Sequence, residues 1–433
     1  MPSITIRDGR FVLGSTPTVL RCGEMHYSRV PRAYWRNRLE FARAMGLNAV
    51  CMYLFWNYHE TAPGTYDFTG EKDIAAFVDL ARELGLHIVL RPGPYVCSEW
   101  NFGGMPARLL KHDNIALRSS DPRYLEPALH WIRAACKALS KHTFSRGGPI
   151  VACQVENEYG AFGNDTPYLK AIANTLRDNG IDVPLLRCDW TYPQFIFPGR
   201  VDDAVHMVAN FGSDAQGNLT RLREAFPNGP LMSGEFWTGW FDWFGAPRNG
   251  IDPQSQSRQI DDIQWMLDKD ASFSLYMFHG GTSFGHYAGA NEQEDTYKTY
   301  VSGYDFGAPL TENGQPTAKY FKLREMFAAV GGAKLPDPPE PIAATTVPGF
   351  EMNEFAPLSG HAARIVESPN VLSMEQLDQA DGCLVYRTDL TGRAASQMDL
   401  RVLDVHDYAI VFFNGRHVGT LDRRLKQNTL KLD

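Results

Sequence analysis

Two short acidic motifs carry side chains that could break a bond to a sugar. QVENEYG (154–160) places Glu156 and Glu158 at the end of an apolar run, and SGEFW (233–237) places Glu235 at the end of a later one. Two carboxyl groups facing each other across a cleft can hydrolyse a glycosidic bond, because one protonates the departing oxygen while the other attacks carbon or activates water. Salt bridges at the ends of buried strands would require the same residue types, so the motifs alone leave both interpretations open.

The elements around these motifs predict a barrel. Over the first three hundred residues, short β-branched runs alternate with segments of helical period, as in parallel βα units. An open doubly wound sheet would need a glycine-rich phosphate turn after the first strand, and none follows residue 27. Eight repeats therefore predict a closed (β/α)8 barrel. The predicted strands are residues 18–27, 48–56, 87–92, 150–158, 184–189, 205–211, 230–236 and 273–280.

In such a barrel the reactive groups lie at the C-terminal ends of the strands, where both acidic motifs fall. If the fourth strand stays regular through residue 158, Glu156 and Glu158 point the same way and both could face the barrel mouth. Only one of them need act directly. A separation of about 5 Å from Glu235 would predict a retaining reaction.

A second domain is predicted after the barrel. Residues 331–342, GGAKLPDPPEPI, contain four prolines and two glycines and are predicted to form a linker between a catalytic domain (1–330) and an all-β domain (343–433). Within the latter, Asn414-Gly415 separates two strand-like runs and predicts a tight hairpin. The few strands that can be counted are consistent with an incomplete domain.

Composition excludes several classes of function. The 433 residues carry 42 basic and 50 acidic side chains without a basic run, so nucleic acid is a poor partner. No apolar stretch is long enough for a membrane helix, and the first residues lack a secretory signal, so we expect a cytoplasmic protein. Seven cysteines are scattered singly, and an odd number cannot pair completely, which favours buried reduced thiols over a disulfide framework.

Five segments resemble glycoside hydrolase family 35, the β-galactosidase family, in the order expected of it. The resemblance implies a retaining exo-galactosidase that needs no metal or cofactor and acts on β-galactosides. It also implies a (β/α)8 TIM barrel followed by a smaller, jelly-roll-like β-sandwich domain. The segments are GEMHYSRVPRAYWRNRLEFARAMGLNAVCMYLFWNYHE (23–60), RPGPYVCSEWNFGGMPARLL (91–110), QVENEYG (154–160), SGEFWTGW (233–240) and LYMFHGGTSFG (275–285).

The resemblance also implies roles for single residues. Glu158 corresponds to the acid/base, Glu235 to the nucleophile, and Asn157 to a residue that bonds the sugar's 2-hydroxyl. Tyr276 corresponds to a tyrosine whose hydroxyl holds the nucleophile's carboxylate. The positions that match residues binding galactose hydroxyls, with Glu99 the expected main partner, are Tyr53, Cys97, Ser98 and Glu99.

One segment departs from the family pattern. The family commonly reads SYDYDAPL where this chain reads GYDFGAPL (303–310), so Phe306 replaces a tyrosine. Either Phe306 contributes only a packing face, or a neighbour such as Tyr304 supplies the missing hydrogen bond to the sugar.

The loop after Glu235 contains six aromatic residues within FWTGWFDWFG (236–245). Trp240 and Trp243 are three positions apart, so on a helical turn they would share a face and could stack on a second sugar beyond the galactose. The alternative is that they pack against the β domain.

Other assignments remain open at this stage. Four histidines, at positions 26, 59, 279 and 286, lack the spacing of a zinc helix and are better explained as hydrogen-bonding walls than as metal ligands. Rival functions are an exo-glycosidase of the same clan acting on another sugar, such as a β-glucosidase or an exo-glucosaminidase, and a non-catalytic carbohydrate-binding relative.

Overall fold

The computed structural model describes residues 3–202, 204–246, 253–293, 295–331, 334–356, 364–391 and 398–432. The strands are β1 (Ile4–Arg7), β2 (Arg10–Leu13), β3 (Thr16–Thr18), β4 (Arg21–Met25), β5 (Ala49–Tyr53), β6 (Glu60–Ala62), β7 (Thr65–Tyr66), β8 (His87–Arg91), β9 (Ile150–Gln154), β10 (Leu185–Asp189), β11 (Val205–Phe211), β12 (Met232–Trp237), β13 (Ser272–His279), β14 (Ala290–Gln293), β15 (Thr296–Thr299), β16 (Met398–Arg401), β17 (Tyr408–Phe413), β18 (Arg416–Asp422) and β19 (Thr429–Leu432). The α-helices are α1 (Trp35–Met45), α2 (Trp56–His59), α3 (Ile74–Glu83), α4 (Pro122–Leu139), α5 (Tyr159–Phe162), α6 (Thr166–Asp178), α7 (Pro193–Ile196), α8 (Ala215–Ala225), α9 (Pro253–Asp268) and α10 (Ala318–Gly331).

Parallel strands close into a barrel in the order β4, β5, β8, β9, β10, β11, β12 and β13, and β13 pairs back with β4. The predicted barrel and all eight predicted strands are confirmed. Side chains cap two of the helices between the strands: Asp121 accepts from the backbone of Arg123 at the start of α4, and Asp165 accepts from that of Tyr168 at the start of α6.

The fourth barrel strand is shorter than predicted. It ends at Gln154 rather than at residue 158, because Glu156 and Glu158 both take left-handed backbone conformations, with φ of 61° and 45°. A left-handed residue turns the chain out of the pleat, so the strict alternation assumed for this segment does not hold. The two glutamates therefore project in different directions.

The antiparallel sheet β1–β2–β3 covers the end of the barrel opposite the acidic motifs. Phe11 and Leu13 of β2 are buried in the same cluster as Leu20, just before β4, and Met232, the first residue of β12. The backbone of Leu231 donates to the carbonyl of Gly9, which ties this sheet to the start of β12. Among the described residues, apolar side chains therefore fill this end of the barrel.

After α10 the chain has no regular secondary structure over residues 334–356, and the strands that follow are antiparallel. β16 pairs with β19, and β17 pairs with β18 across Asn414 and Gly415, whose φ values of 48° and 79° are those of a tight hairpin turn. The predicted all-β unit and its hairpin are confirmed. The boundaries of the linker stay a prediction, and Gly332 and Ala333 within it lie outside the described residues.

None of the seven cysteines forms a disulfide bond in the structure. Only Cys383 is exposed, whereas Cys97 is half-buried and the others are buried. Within the described ranges, the chain contains no helix with the length and apolar character to cross a membrane.

Candidate active site

Glu158 lies just beyond β9, where its left-handed backbone begins the short helix α5. Its Oε1 accepts two hydrogen bonds of 3.0 Å, from the indole Nε1 of Trp190 after β10 and from Nδ2 of Asn210 on β11. Desolvation in the barrel mouth, followed by the negative charge of Glu235, raises the pKa of Glu158 to about 7. Glu158 is therefore a carboxyl group that can hold a proton near neutral pH.

Glu235 lies on β12 and is almost completely buried. Its Oε1 is 2.5 Å from Nη2 of Arg91 at the end of β8 and accepts from the Tyr53 hydroxyl at 3.2 Å, while its Oε2 accepts from the Trp237 indole at 3.0 Å. A guanidinium and two neutral donors stabilise a negative charge at this position. The two carboxyl groups therefore have opposite surroundings, one suited to a neutral acid and the other to an anion.

Glu156, the other glutamate of the QVENEYG motif, is a structural residue. Its carboxylate accepts hydrogen bonds from Nε of Arg118 at 3.0 Å, from Nη2 of Arg118 at 2.6 Å and from the Tyr168 hydroxyl at 2.7 Å. All three residues are buried. Arg118 also donates to the backbone carbonyl of Asn157. The salt-bridge alternative therefore holds for Glu156, and this ion pair fixes the turn that presents Glu158.

Asn157 lies beside the nucleophile candidate. Its Oδ1 accepts from Nη2 of Arg91 at 2.5 Å and from Nε2 of Gln154 at 3.4 Å. Because the carboxamide oxygen is occupied, its NH2 group is the part that can bond a sugar hydroxyl.

The loop after β8 brings Glu99 into the mouth through three consecutive left-handed residues, with φ of 58°, 59° and 48° at positions 97–99. The Glu99 carboxylate accepts from the hydroxyl of Tyr276 at 3.1 Å and from that of Tyr304, and these two hydroxyls are 2.7 Å apart. Burial raises the pKa of Glu99, against the lowering effect of these hydroxyls and of Arg29. Glu99, Tyr276 and Tyr304 thus form one polar cluster.

The other two predicted residues of this loop differ in their orientation. Cys97 is half-buried, and its thiol pKa is raised to about 12 by burial and then by the charges of Glu99 and Glu158, so it stays protonated beside the site. The Ser98 hydroxyl donates to the carbonyl of Val96 at 2.9 Å, and its own carbonyl accepts from Arg29. The Ser98 side chain is therefore used to hold the loop.

The expected hydrogen bond between Tyr276 and the nucleophile is absent from the described contacts, and the structure corrects it. Tyr276 bonds to Glu99, and Tyr53 takes the place beside Glu235. Tyr53 ends β5, next to Arg91 at the end of β8, whereas Tyr276 lies in the part of β13 where the pairing with β4 shifts register.

Phe306 is a packing face, the first of the two alternatives raised for this segment. It is buried, and its ring lies against Tyr276 at 5.1 Å and Tyr304 at 5.3 Å between centroids. Tyr304 supplies the hydroxyl on this side. Gly239 passes so close to the Phe306 carbonyl that a Cβ there would lie 1.4 Å from the oxygen, so the loop after β12 locks Phe306 in place.

The prediction that Trp240 and Trp243 share a helical turn is wrong. The segment is irregular, and Trp243 makes a β-bridge to Tyr300 while its ring lies under the ammonium of Lys298 at 4.7 Å. Trp240 is 44% exposed and meets Trp237 edge to face, with ring centroids 6.0 Å apart. Backbone pairing with the β14–β15 region opens the turn and points the two rings to different surroundings.

A cavity of about 820 Å³ adjoins the nucleophile. Trp237 and Trp240 line one side, and the other is polar, from the start of α8 and from α9. Its polar lining consists of Ser213, Asp214, Arg258, Gln259, Asp261 and Asp262. Trp237 lines this cavity and also donates to Glu235, so the cavity lies next to the candidate nucleophile.

Four residues of the site were not singled out from the sequence: Arg91, Trp190, Asn210 and Trp237. Each lies at or directly after the C-terminal end of a barrel strand. This position at the end of a strand is the feature of the sequence that could have identified them.

The buried histidines act as hydrogen-bonding residues in the packing around the site. His59 bonds the Tyr27 hydroxyl and the carbonyl of Asp67, and His26 bonds Arg29. Burial lowers the pKa of His59 to about 4 and that of His279 to about 3, so both are neutral. Within the described ranges, no three or more His, Cys, Asp or Glu side chains come together as a metal site.

Comparisons with known proteins agree with this geometry. The chain is 38% identical over 435 residues to a β-galactosidase of Xanthomonas manihotis, covering all of this chain and 72% of the relative. It is 38% identical over 419 residues to a β-galactosidase of Homo sapiens, covering 93% of this chain and 60% of that one. The chain thus spans less than two thirds of the human relative.

Among solved structures, a β-D-glucuronidase of Dictyoglomus thermophilum superposes with a TM-score of 0.51 at 15% identity, over 78% of this chain and 54% of that one, a likeness in fold alone. The profile of the first all-beta domain of beta-galactosidases matches residues 371–433, and that of glycosyl hydrolases family 35 matches residues 10–330. With a barrel whose mouth holds one buried and one partly buried carboxyl group, and a profile match over most of its length, this chain is a member of glycoside hydrolase family 35.

Proposed function

We propose that this protein is a retaining exo-β-galactosidase, with Glu158 as acid/base and Glu235 as nucleophile. The observation that carries the proposal is the contrast between the two carboxyl groups. Glu235 lies against the Arg91 guanidinium at 2.5 Å, whereas burial and the charge of Glu235 raise the pKa of Glu158 to about 7. Two titratable groups in such opposed environments are the pattern of an acid and a base with assigned roles.

In the first step, a carboxylate oxygen of Glu235 attacks C1 of the sugar from the face opposite the departing oxygen. Glu158 gives its proton to that oxygen as the C1–O bond breaks, so the aglycone leaves as a neutral alcohol and the sugar stays as an ester of Glu235. A direct attack requires the two carboxyl groups to lie about 5 Å apart, without room for a water between sugar and nucleophile.

In the second step, Glu158, now ionised, takes a proton from a water that attacks C1, and the Glu235 carboxylate departs. The ester has no negative charge, so one of the causes that raise the pKa of Glu158 is gone at this stage. The pKa of Glu158 is therefore higher in the free enzyme, where it must carry a proton, and lower in the ester intermediate, where it must be ionised. This alternation suits a residue that acts first as acid and then as base.

The sugar would be held by the polar groups around the two carboxyls. Glu99, fixed by the hydroxyls of Tyr276 and Tyr304, is the strongest acceptor for sugar hydroxyls, and the NH2 group of Asn157 is placed beside the nucleophile. We assign Glu99 to the hydroxyls that distinguish galactose and Asn157 to the 2-hydroxyl. Both relatives named above are β-galactosidases, which supports galactose as the substrate.

A panel of nitrophenyl β-glycosides tests the proposal. We expect hydrolysis of the β-galactoside with kcat/KM at least about tenfold above that of the β-glucoside and the β-N-acetylglucosaminide, a difference of about 1.4 kcal/mol. Preferential hydrolysis of another sugar would replace galactose within the same mechanism. Binding of galactose without hydrolysis of any member would support the non-catalytic alternative. Proton NMR of the first sugar product should show the β-anomer, whereas initial α-anomer would overturn retention.

A further inference from the structure

Glu24 is a carboxyl group inside the barrel that the proposed mechanism does not use. It lies on β4, opposite Cys51 of β5, and is completely buried. Its Oε2 is 3.5 Å from Nη1 of Arg91, and its Oε1 has no hydrogen-bond partner among the described residues. A buried carboxylate with an unsatisfied oxygen is costly, whereas a neutral carboxylic acid at the same place is less so.

Arg91 connects Glu24 to the nucleophile. One guanidinium faces two carboxyl groups: Nη2 is 2.5 Å from Glu235 and Nη1 is 3.5 Å from Glu24. The Tyr53 hydroxyl bonds both Arg91 and Glu235 and so belongs to the same network. The close contact on one side and the loose one on the other fit a charged Glu235 and a neutral Glu24, since two carboxylates would compete for the single positive charge.

Among the groups that face Glu24 from the surrounding strands, Arg91 carries the positive charge. Burial raises the pKa of Glu24 to about 8; Arg91 lowers it, the charge of Glu235 raises it, and hydrogen bonding to Tyr53 and Ser274 lowers it. The other titratable neighbours are neutral, because burial also raises the pKa of the thiols and of the phenol. The titratable and polar groups around Glu24 are Cys22 of β4, Cys51 and Tyr53 of β5, Arg91 of β8, Glu235 of β12 and Ser274 of β13.

We propose that Glu24 is a positioning residue that acts through Arg91: as a neutral acid it leaves the guanidinium to Glu235, and on ionisation it draws Arg91 away and weakens the nucleophile. The inference rests on the proposed role of Glu235. It assigns part of the alkaline loss of activity to a group that never touches the sugar.

The substrate 2,4-dinitrophenyl β-galactoside isolates this effect. Its leaving group is too weak a base to need protonation, so the loss of the Glu158 proton should not limit kcat/KM on this substrate. We expect wild-type kcat/KM to be level between pH 6 and 7 and to fall about tenfold by pH 9, since a group titrating near 8 is then about nine-tenths ionised.

Glu24→Gln keeps the size of the side chain and removes its ionisation, so the ratio of kcat/KM at pH 9 to that at pH 6 should rise about tenfold over wild type. Glu24→Met serves as a second non-ionising variant if the glutamine variant unfolds. In Arg91→Lys, substitution of Glu24 should no longer change the ratio, because the connecting guanidinium is gone. Glu60→Gln, which removes another carboxylate paired with an arginine, Arg108 at 2.8 Å, is the matched control and should keep the wild-type ratio.

The outcomes separate the two proposals. An equal fall between pH 6 and 9 in wild type and in both Glu24 variants, or no fall in wild type, would overturn the role of Glu24 and leave the galactosidase proposal intact. No hydrolysis of the dinitrophenyl galactoside by wild type at any pH would instead contradict the proposed function.

Discussion

The indole Nε1 of Trp190 lies 3.0 Å from Oε1 of Glu158 and donates a hydrogen bond to it. A donor of this kind favours the ionised carboxyl, so it lowers a pKa that burial and Glu235 raise. Asn210 donates to the same oxygen. Opposing effects therefore set the pKa of Glu158, and a substitution of either donor can change this pKa without altering the carboxyl group itself.

Trp190→Phe should raise the pKa of Glu158 and shift the alkaline limb of kcat/KM for methyl β-galactoside to higher pH. We expect a shift of about half a pH unit, the size suited to one neutral donor on a partly exposed indole. The measurement is a pH profile between 5 and 10. Tyr192→Phe, an exposed aromatic two residues away, is the control and should leave the limb in place. A shift to lower pH in Trp190→Phe would mean that the indole does not stabilise the anion.

Glu158→Gln should separate substrates by leaving group. Because only the protonated form of Glu158 donates, wild-type kcat/KM on methyl β-galactoside should be highest below about pH 7 and fall above it. In the glutamine variant the fall near pH 7 should vanish and only the fall near pH 8 assigned to Glu24 should remain. We expect a loss of about 10²–10⁴-fold on the methyl galactoside and a much smaller one on the dinitrophenyl galactoside. Equal losses on both substrates would reverse the assignment of the two glutamates.

Glu235→Gln should abolish turnover even of the dinitrophenyl galactoside, by about 10³-fold or more, because no other group can form the glycosyl ester. In Glu235→Ala, added azide can occupy the vacated space and attack C1 directly, which should restore cleavage and give the α-galactosyl azide. NMR of the product checks this. Rescue that yields the β-azide would show that the substituted residue was not the nucleophile.

The two tryptophans after Glu235 should now respond differently. Trp240 is exposed on the cavity beside Trp237, so Trp240→Ala should raise KM for a galactosyl disaccharide by about two- to twelvefold, the value of one stacked ring, with little change on nitrophenyl galactoside. Trp243 bridges to Tyr300, so Trp243→Ala should lower the melting temperature and affect both substrates alike. A disaccharide-specific effect at Trp243 alone would return the aglycone site to that residue.

Much of the barrel could be predicted because its strands are buried on both faces and read as apolar runs between well-capped helices. The direction of Glu156 and Glu158 could not, since it depends on two left-handed residues and on Arg118, thirty-eight positions away in the chain. Regular alternation was the wrong assumption there. Likewise, the helical turn predicted for Trp240 and Trp243 was overruled by backbone pairing with Tyr300, a contact that no local pattern announces.

The role of single hydroxyls was the hardest to anticipate. Motif order placed Tyr53, Tyr276 and Glu99 in one site, yet it does not indicate which tyrosine meets which carboxylate, and Tyr276 lies where the pairing of β13 with β4 shifts register. Arg91 was visible in the sequence at the end of a predicted strand, but its two carboxyl partners come from distant strands, β4 and β12. Sequence thus predicts the members of this site better than their pairing.

The barrel can close only after its last strand, β13, has been synthesised. The backbone of Leu20, just before β4, donates to the Ser272 hydroxyl of β13, 252 residues later. At about 5–20 residues per second a ribosome needs roughly 13–50 s to cover that distance. During this interval the edge of β4 that later pairs with β13 has no partner, and an open strand edge can recruit other chains. Glu24 lies on this strand, and charged side chains on an open edge oppose such recruitment.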